Sequence, residues 1–139
     1  MKTRIPCALA VLGSTGTGKS ILGLTLAKRY GGEIVSCDST AVYRGFDIGT
    51  DKLPVSARQG IPHHLIDIAD PVDTYSAAKF SKEASNIVRE IQSRGKVPIL
   101  VGGTGFYYRA LTRGLFPGPG ADEALRSRLM RISKRYGDE

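Results

Sequence analysis

Three groups of residues have types and spacing that could do chemistry. The first is "GSTGTGKS", Gly13 to Ser20. It fits the pattern Gly-x-x-x-x-Gly-Lys-Ser, placed between an apolar strand-like run and a helical one. Backbone N–H groups at a helix N-terminus attract an anion, and the helix dipole reinforces the attraction. Glycines at 13, 16 and 18 let the backbone curl around a phosphate with no Cβ in the way. Ser14, Thr15 and Thr17 complete the cradle, Lys19 would neutralise phosphate oxygens, and the Ser20 hydroxyl could ligate Mg²⁺. The second group is Asp38-Ser39-Thr40-Ala41, after "EIVSC". Asp38 suits a general base, though spacing alone equally suits a turn or cap residue. The third is "GGTG", residues 102–105, where Thr104 could hydrogen-bond a nucleophile or a phosphate, or could simply sit in a strand-to-helix turn.

Nucleotide hydrolases pair such a loop with a strand ending in a Mg²⁺-facing Asp. Here "VPILVGG" ends in Gly102-Gly103, and Asp67 within "HHLIDI" is not distinctive. A plain ATPase or GTPase is therefore disfavoured. His63 and His64 have no Cys or carboxylate at metal-ligand spacing, so a metal there is not expected. Tyr107 and Tyr108 could stack on a base, but their helical spacing in an apolar stretch favours core packing.

The elements that must position these residues alternate along the chain. "IPCALAVLG" (Ile5–Gly13), "EIVSCD", "HHLIDI" and "VPILVGG" read as strands. They are apolar throughout, as in a parallel sheet covered on both faces. A helix from Gly18 to the Gly31-Gly32 stop has apolar residues so dense that it should be well buried. "SAAKFSKEASNIVREIQSRG" is the clearest amphipathic helix, with Gly95 as its stop. "FYYRALTRGL" continues helical to about Gly114, "FPGPGA" is a linker, and "DEALRSRLMRISKRYG" is a basic helix. The expected architecture is an α/β fold with a phosphate-loop parallel sheet flanked by helices, core 1–116 and a linker with a basic helix over 117–139.

The bulk composition agrees. The 139 residues are 41% hydrophobic and 24% charged, an ordinary globular balance. No apolar run is long enough to span a bilayer and the N-terminus shows no leader pattern, so a cytoplasmic protein is expected. Cys7 and Cys37 form no disulfide framework and read as small buried hydrophobes. The net charge of +7 suits an acidic partner such as RNA. The last 31 residues carry 7 Lys/Arg against 4 Asp/Glu, so basicity rises toward the C-terminal end.

Taken in order, "GSTGTGKS", "DSTAVYRGFDIGTDK", "GIPHHLIDIADPVDTYSAAKF", "VPILVGGTGFYYRAL" and "PGADEALRSRL" resemble the tRNA dimethylallyltransferase family, which prenylates an adenine beside the anticodon. The resemblance runs from residue 8 to about 129. It implies that residues 13–20 hold the diphosphate of dimethylallyl diphosphate, with Mg²⁺ at Ser20. It implies that Asp38 is the base on the adenine N6 amino group, with Thr104 beside it. Asp38, Ser39, Thr40, Ala41, Thr104 and Arg126 would meet the tRNA; Arg126 on a basic helix also reads as a solvated charge. Many family members carry Gln where this chain has Ala41, which bears on local base contacts. The family continues well beyond the length seen here, so the chain resembles about the first half of an enzyme that would be monomeric at full length. Residues 117–139 would begin the tRNA-binding insertion. Three other readings compete: an adenylate isopentenyltransferase acting on free AMP, ADP or ATP, a phosphate-loop nucleoside or shikimate-type kinase, and a diphosphate-binding remnant without turnover.

Overall fold

The computed structural model describes residues 8–116, 118, 120 and 122–137. Four parallel strands form one sheet in the order β1-β4-β2-β3, with β1 Leu9–Leu12, β2 Gly32–Ser36, β3 His63–His64 and β4 Val97–Gly102. Helix α1 (Lys19–Tyr30) connects β1 to β2, and α2 (Ala77–Ser93) connects β3 to β4. Helix α3 (Gly105–Arg113) leaves the end of β4, and α4 (Glu123–Tyr136) follows the Pro/Gly stretch. A single 3₁₀ turn, Val55–Ala57, lies before β3.

Alternation in β2 and β4 feeds two cores, one on each face of the sheet. Ile34, Ile99 and Val101 join Leu24 and Ala27 of α1 on one face. Val35 and Leu100 join Phe80, Ala84 and Ile91 of α2 and Tyr107 and Ala110 of α3 on the other. Burial of both faces is why β4 is apolar throughout and β2 is apolar at Ile34 and Val35, with Glu33 and Ser36 as its polar exceptions. Helix α2 starts where Ser76 accepts a hydrogen bond from Lys79 N–H at 3.2 Å. Tyr107 belongs to the core: its ring stacks on Phe80 at 4.6 Å and its hydroxyl donates to the Tyr75 carbonyl at 3.0 Å. Cys37 is fully buried, and burial pushes its thiol pKa up to about 12, so it behaves as a small hydrophobe. Cys7 lies outside the described residues.

Two expectations need correction. Helix α1 is not buried all round. Its packed side consists of Lys19, Gly23, Leu24 and Ala27, while Ile21 is 71% and Leu22 49% exposed. The third strand stops at His64, because Leu65 and Asp67 take φ of 61° and 55°, which no strand accommodates. Beyond it, Ala69 pairs with Tyr43 in an isolated parallel bridge outside the sheet.

The sheet carries one charged residue in its interior. Glu33 of β2 is 2% exposed, and its carboxylate meets His64 Nε2 at 2.7 Å, Arg94 at 2.8 Å and Lys96 at 3.0 Å. Burial alone would raise its pKa. The hydrogen bonds from His64 and Lys96 and the charges of Arg94 and Lys96 outweigh burial and hold it below the usual value of 4.5. A lowered carboxylate pKa contributes stability above the unfolded-state value, and that contribution disappears as pH falls through the folded-state value. Glu33→Gln should cost about 1–3 kcal/mol at pH 7, since it strands half-exposed cations around a buried amide. Urea unfolding at a series of pH values should show the gap between wild type and variant narrowing below about pH 4.5.

Candidate functional site

The C-terminal ends of β1, β4 and β2 lie side by side, where an open α/β sheet places its ligands. The phosphate loop leaves β1 there, Asp38 follows β2, and Thr104 follows β4. Very close backbone approach holds these ends together. A Cβ on Gly102 would sit 2.1 Å from the Cys37 carbonyl oxygen, so only glycine fits. The Cys37 N–H donates to the Val101 carbonyl at 2.8 Å, and the Thr104 N–H donates to the Cys37 carbonyl at 3.1 Å.

The loop has the geometry of an anion cradle. Gly16 and Gly18 take φ of 80° and 81°, a region open to glycine. Thr17 Oγ1 and Lys19 Nζ both donate to the Ser14 carbonyl, at 2.8 and 3.1 Å, which folds the loop over itself. Helix α1 begins at Lys19 with no side-chain cap and no acidic residue in its first turn, so its N-terminal N–H groups face outward for an anion. Residues 13–18 are exposed while Lys19 is 8% exposed, its stem buried and its ammonium directed into a cleft. Ser20, Asp38, Asp51, Lys52 and His63 line the same cleft.

Asp38 and Thr104 are brought together by direct bonding between their segments. Thr104 Oγ1 accepts from the Ser39 N–H at 2.9 Å and lies 3.3 Å from Ser39 Oγ. Asp38 plays the turn role and keeps a free oxygen. Its Oδ1 accepts from the Thr40 N–H at 2.8 Å, the Thr40 hydroxyl at 2.7 Å and the Ala41 N–H at 3.1 Å. Among the described residues none donates to Oδ2. Three bonds to one oxygen fix the carboxylate plane and leave the second oxygen uncommitted at the edge of the cleft that Asp38 lines. Ala41 is 4% exposed and lines the cleft with Asp38, while Ser39 is half-buried and Thr40 exposed. Arg126 is exposed on α4, whose N-cap Asp122 accepts from the Leu125 N–H at 2.9 Å.

Several residues of the site have no linear signature. The Lys52 side chain is buried and donates to the Tyr43 carbonyl at 2.8 Å, Asp67 at 2.7 Å and Asp47 at 3.0 Å. Burial alone would lower its pKa; the two carboxylates more than reverse this and raise it. Asp67 also faces Arg58 at 3.6 Å, so it is an anchor for the 43–58 segment and not a Mg²⁺ ligand. His64 does have a carboxylate partner, Glu33, but that lies 31 residues away and is shared with two cations. His63 is half-buried, and burial, with Arg58 and His64 nearby, holds its pKa below the usual value despite the 2.7 Å contact of Nδ1 with the Ile61 carbonyl. Among the described residues no group of three or more His, Cys, Asp or Glu could hold a metal alone. Ser20 is different. It lines the cleft without a hydrogen-bond partner among those residues, a hard oxygen suited to sharing Mg²⁺ with a diphosphate.

A phosphate-loop α/β protein is thus defined by fold and site. A profile of the IPP transferase family matches residues 41–139. The chain belongs to the IPP transferase family. It is 55% identical over 130 residues to a tRNA dimethylallyltransferase of Solibacter usitatus, covering 93% of this chain and 42% of the relative. It is 52% identical over 129 residues to that of Halorhodospira halophila, again covering 93% and 42%. It superimposes with a TM-score of 0.78 on the full-length tRNA isopentenylpyrophosphate transferase of Bacillus halodurans, at 44% identity, over 95% of this chain and 44% of that one. A eukaryotic dimethylallyltransferase acting on tRNA gives a TM-score of 0.72 at 33% identity, over 95% and 32%. The chain therefore spans less than half the length of these relatives.

The bonding at Thr104 yields a direct expectation. Thr104→Val leaves the Ser39 N–H without its acceptor and should lower the thermal midpoint by about 2–8 °C, the shift expected for roughly 1 kcal/mol or slightly more. Thr104→Ser keeps the hydroxyl and should retain most of that stability. Differential scanning calorimetry of the pair separates the hydroxyl from the methyl.

Proposed function

We propose that this chain carries the donor site and the catalytic base of a tRNA dimethylallyltransferase, joining a dimethylallyl group to N6 of an adenine beside the anticodon. The observation that supports it best is the pairing of a complete diphosphate cradle with a fixed, half-free carboxylate across the cleft. The family relationship supplies the chemistry that needs such a pair. Residues 13–20 would hold the diphosphate of dimethylallyl diphosphate. The adenine N6 attacks the allylic carbon, the carbon–oxygen bond to diphosphate breaks, and the electron pair leaves with the diphosphate. Asp38 Oδ2 takes the N6 proton. Lys19 and the helix N-terminus stabilise charge growing on the leaving group. Thr104 and Ser39 hold the acceptor side of the cleft in register with Asp38. Mg²⁺ at Ser20, when bound, adds further neutralisation of the diphosphate. The tRNA would be gripped by Ser39, Thr40, Ala41 and, on the basic helix α4, Arg126. Residues 117–139 read as the start of that tRNA-binding part.

The reading also explains a missing feature. Activating water beside the diphosphate would waste the donor, and β4 runs into Gly102-Gly103 where a hydrolase would place a Mg²⁺-facing Asp.

Transfer of labelled dimethylallyl to unmodified tRNA by the protein tests it. Asp38→Ala should lower kcat at least about 100-fold while changing the KM for dimethylallyl diphosphate little, as loss of a general base does. Lys19→Ala should raise that KM and lower kcat together. Label appearing on free AMP in preference to tRNA would replace the acceptor in this reading; ATP consumption without prenyl transfer would replace the reaction.

A further inference from the structure

Asp51 occupies an unusual position. Its backbone is left-handed, with φ of 53°, a conformation that costs free energy for a residue with a Cβ. Its neighbour Lys52 is fixed by three oxygens, those of Tyr43, Asp47 and Asp67, so the backbone at 51 cannot swing freely. The consequence is that Asp51 projects into the phosphate-loop cleft, its Oδ2 3.7 Å from Lys19 Nζ. Lys19 is the cation that an anion in the cradle must reach. Asp51 is 48% exposed, and Lys52, one residue on, is directed away to its own acceptors.

We infer that Asp51 is a built-in competitor for the phosphate-loop lysine: it balances Lys19 while the cradle is empty and must yield when a diphosphate enters. The inference rests on the donor-site reading above and adds a threshold on anion affinity to it. A carboxylate brings one negative charge and two oxygens, whereas a diphosphate brings several of each and also takes the N-terminal N–H groups of α1. The competitor therefore loses to a diphosphate and resists a weaker anion such as inorganic phosphate. Asp51 is in this sense a positioning residue that sets the affinity an anion needs to occupy the cradle. It takes no part in bond making.

Two effects of removing its charge act in the same direction. Lys19 is freed, and repulsion between Asp51 and an incoming anion is lost. An ion pair at this distance with one half-exposed partner is modest, so the expected change is a gain in affinity of about three- to tenfold.

The test uses inorganic pyrophosphate as the probe, measured by isothermal titration calorimetry on the protein, with and without Mg²⁺. Asp51→Asn should bind pyrophosphate about three- to tenfold more tightly than wild type, and inorganic phosphate should gain by no more than the same factor, since either anion must displace the competitor and the more highly charged one is repelled more. Asp51→Glu should stay near wild type. In a Lys19→Ala background Asp51→Asn should give a smaller gain, since no lysine remains to be freed. Weaker pyrophosphate binding by Asp51→Asn only when Mg²⁺ is present would overturn the inference and make Asp51 a metal ligand. Unchanged or weaker binding under both conditions would overturn it and leave a loop anchor. Wild-type protein that binds no pyrophosphate would overturn the donor-site reading and this inference with it; pyrophosphate binding with the expected variant ratios but no prenyl transfer would overturn the reaction while keeping the role of Asp51.

Discussion

The site depends on the contact between Gly102 and the Cys37 carbonyl. Its geometry leaves no room for a Cβ, and the ladder continues past it: Cys37 N–H to Val101, then Thr104 N–H back to Cys37. Because β2 and β4 pair in a fixed parallel register, with Ser36 opposite Val101, the residues just after each strand emerge at the same level. Asp38 and Thr104 are brought within one bonded network by that level and by nothing in their sequence separation of 66 residues. On the other side, β1 pairs with β4 so that Leu12 faces Gly102. The phosphate loop therefore leaves the sheet beside Thr104. One central strand sets the spacing of both halves of the site.

Packing on the two faces secures that strand. Gly23 of α1 lies so close that a Cβ would meet Val101 at 2.6 Å, so the helix bearing Lys19 at its start is seated directly on β4. From the opposite face α2 and α3 press Phe80 and Tyr107 into the core. Displacement of either helix would move a different component of the cleft: α1 carries the cradle, and α3 begins immediately after Thr104. The stability of the core and the accuracy of the site are here the same physical property.

What was legible in the sequence was what short-range physics determines. Gly13 to Ser20 sits between a strand and a helix, and local glycine chemistry makes it a loop around an anion. Helix α2 has a capping serine, an apolar stripe and a glycine stop, all within its own span. The apolar run of β4 and the turn after it were equally readable. What failed required tertiary knowledge. The apolar density of α1 suggested burial on all sides, but the number of layers packed against a helix is not written in the helix. "HHLIDI" had strand composition, yet Asp67 is drawn out of the strand by Lys52 and Arg58, which come from a loop with no pattern of its own. The partnership of Glu33 with His64, Arg94 and Lys96, and of Asp51 with Lys19, joins residues 31 to 63 apart in sequence.

The form of the carboxylate network bears on the chemistry the cleft can support. Asp38 spends one oxygen on three donors of its own turn, a cost in hydrogen-bonding capacity that is repaid as orientation. A carboxylate so restrained presents a single oxygen along a defined direction, which is suited to taking a proton from a planar amino group held opposite it. A hydrolytic site instead needs its acid residue and metal arranged around a water next to the terminal phosphate. In this cleft the acidic residue beside the phosphate-loop lysine is Asp51, on a separate segment from Asp38. On the proposed reading the two carboxylates thus divide the work by location: one on the acceptor side removes a proton, and one on the donor side stands where the leaving group will be. That division is what a phosphate loop requires when the diphosphate is the handle of the substrate and the carbon attached to it is the group that moves.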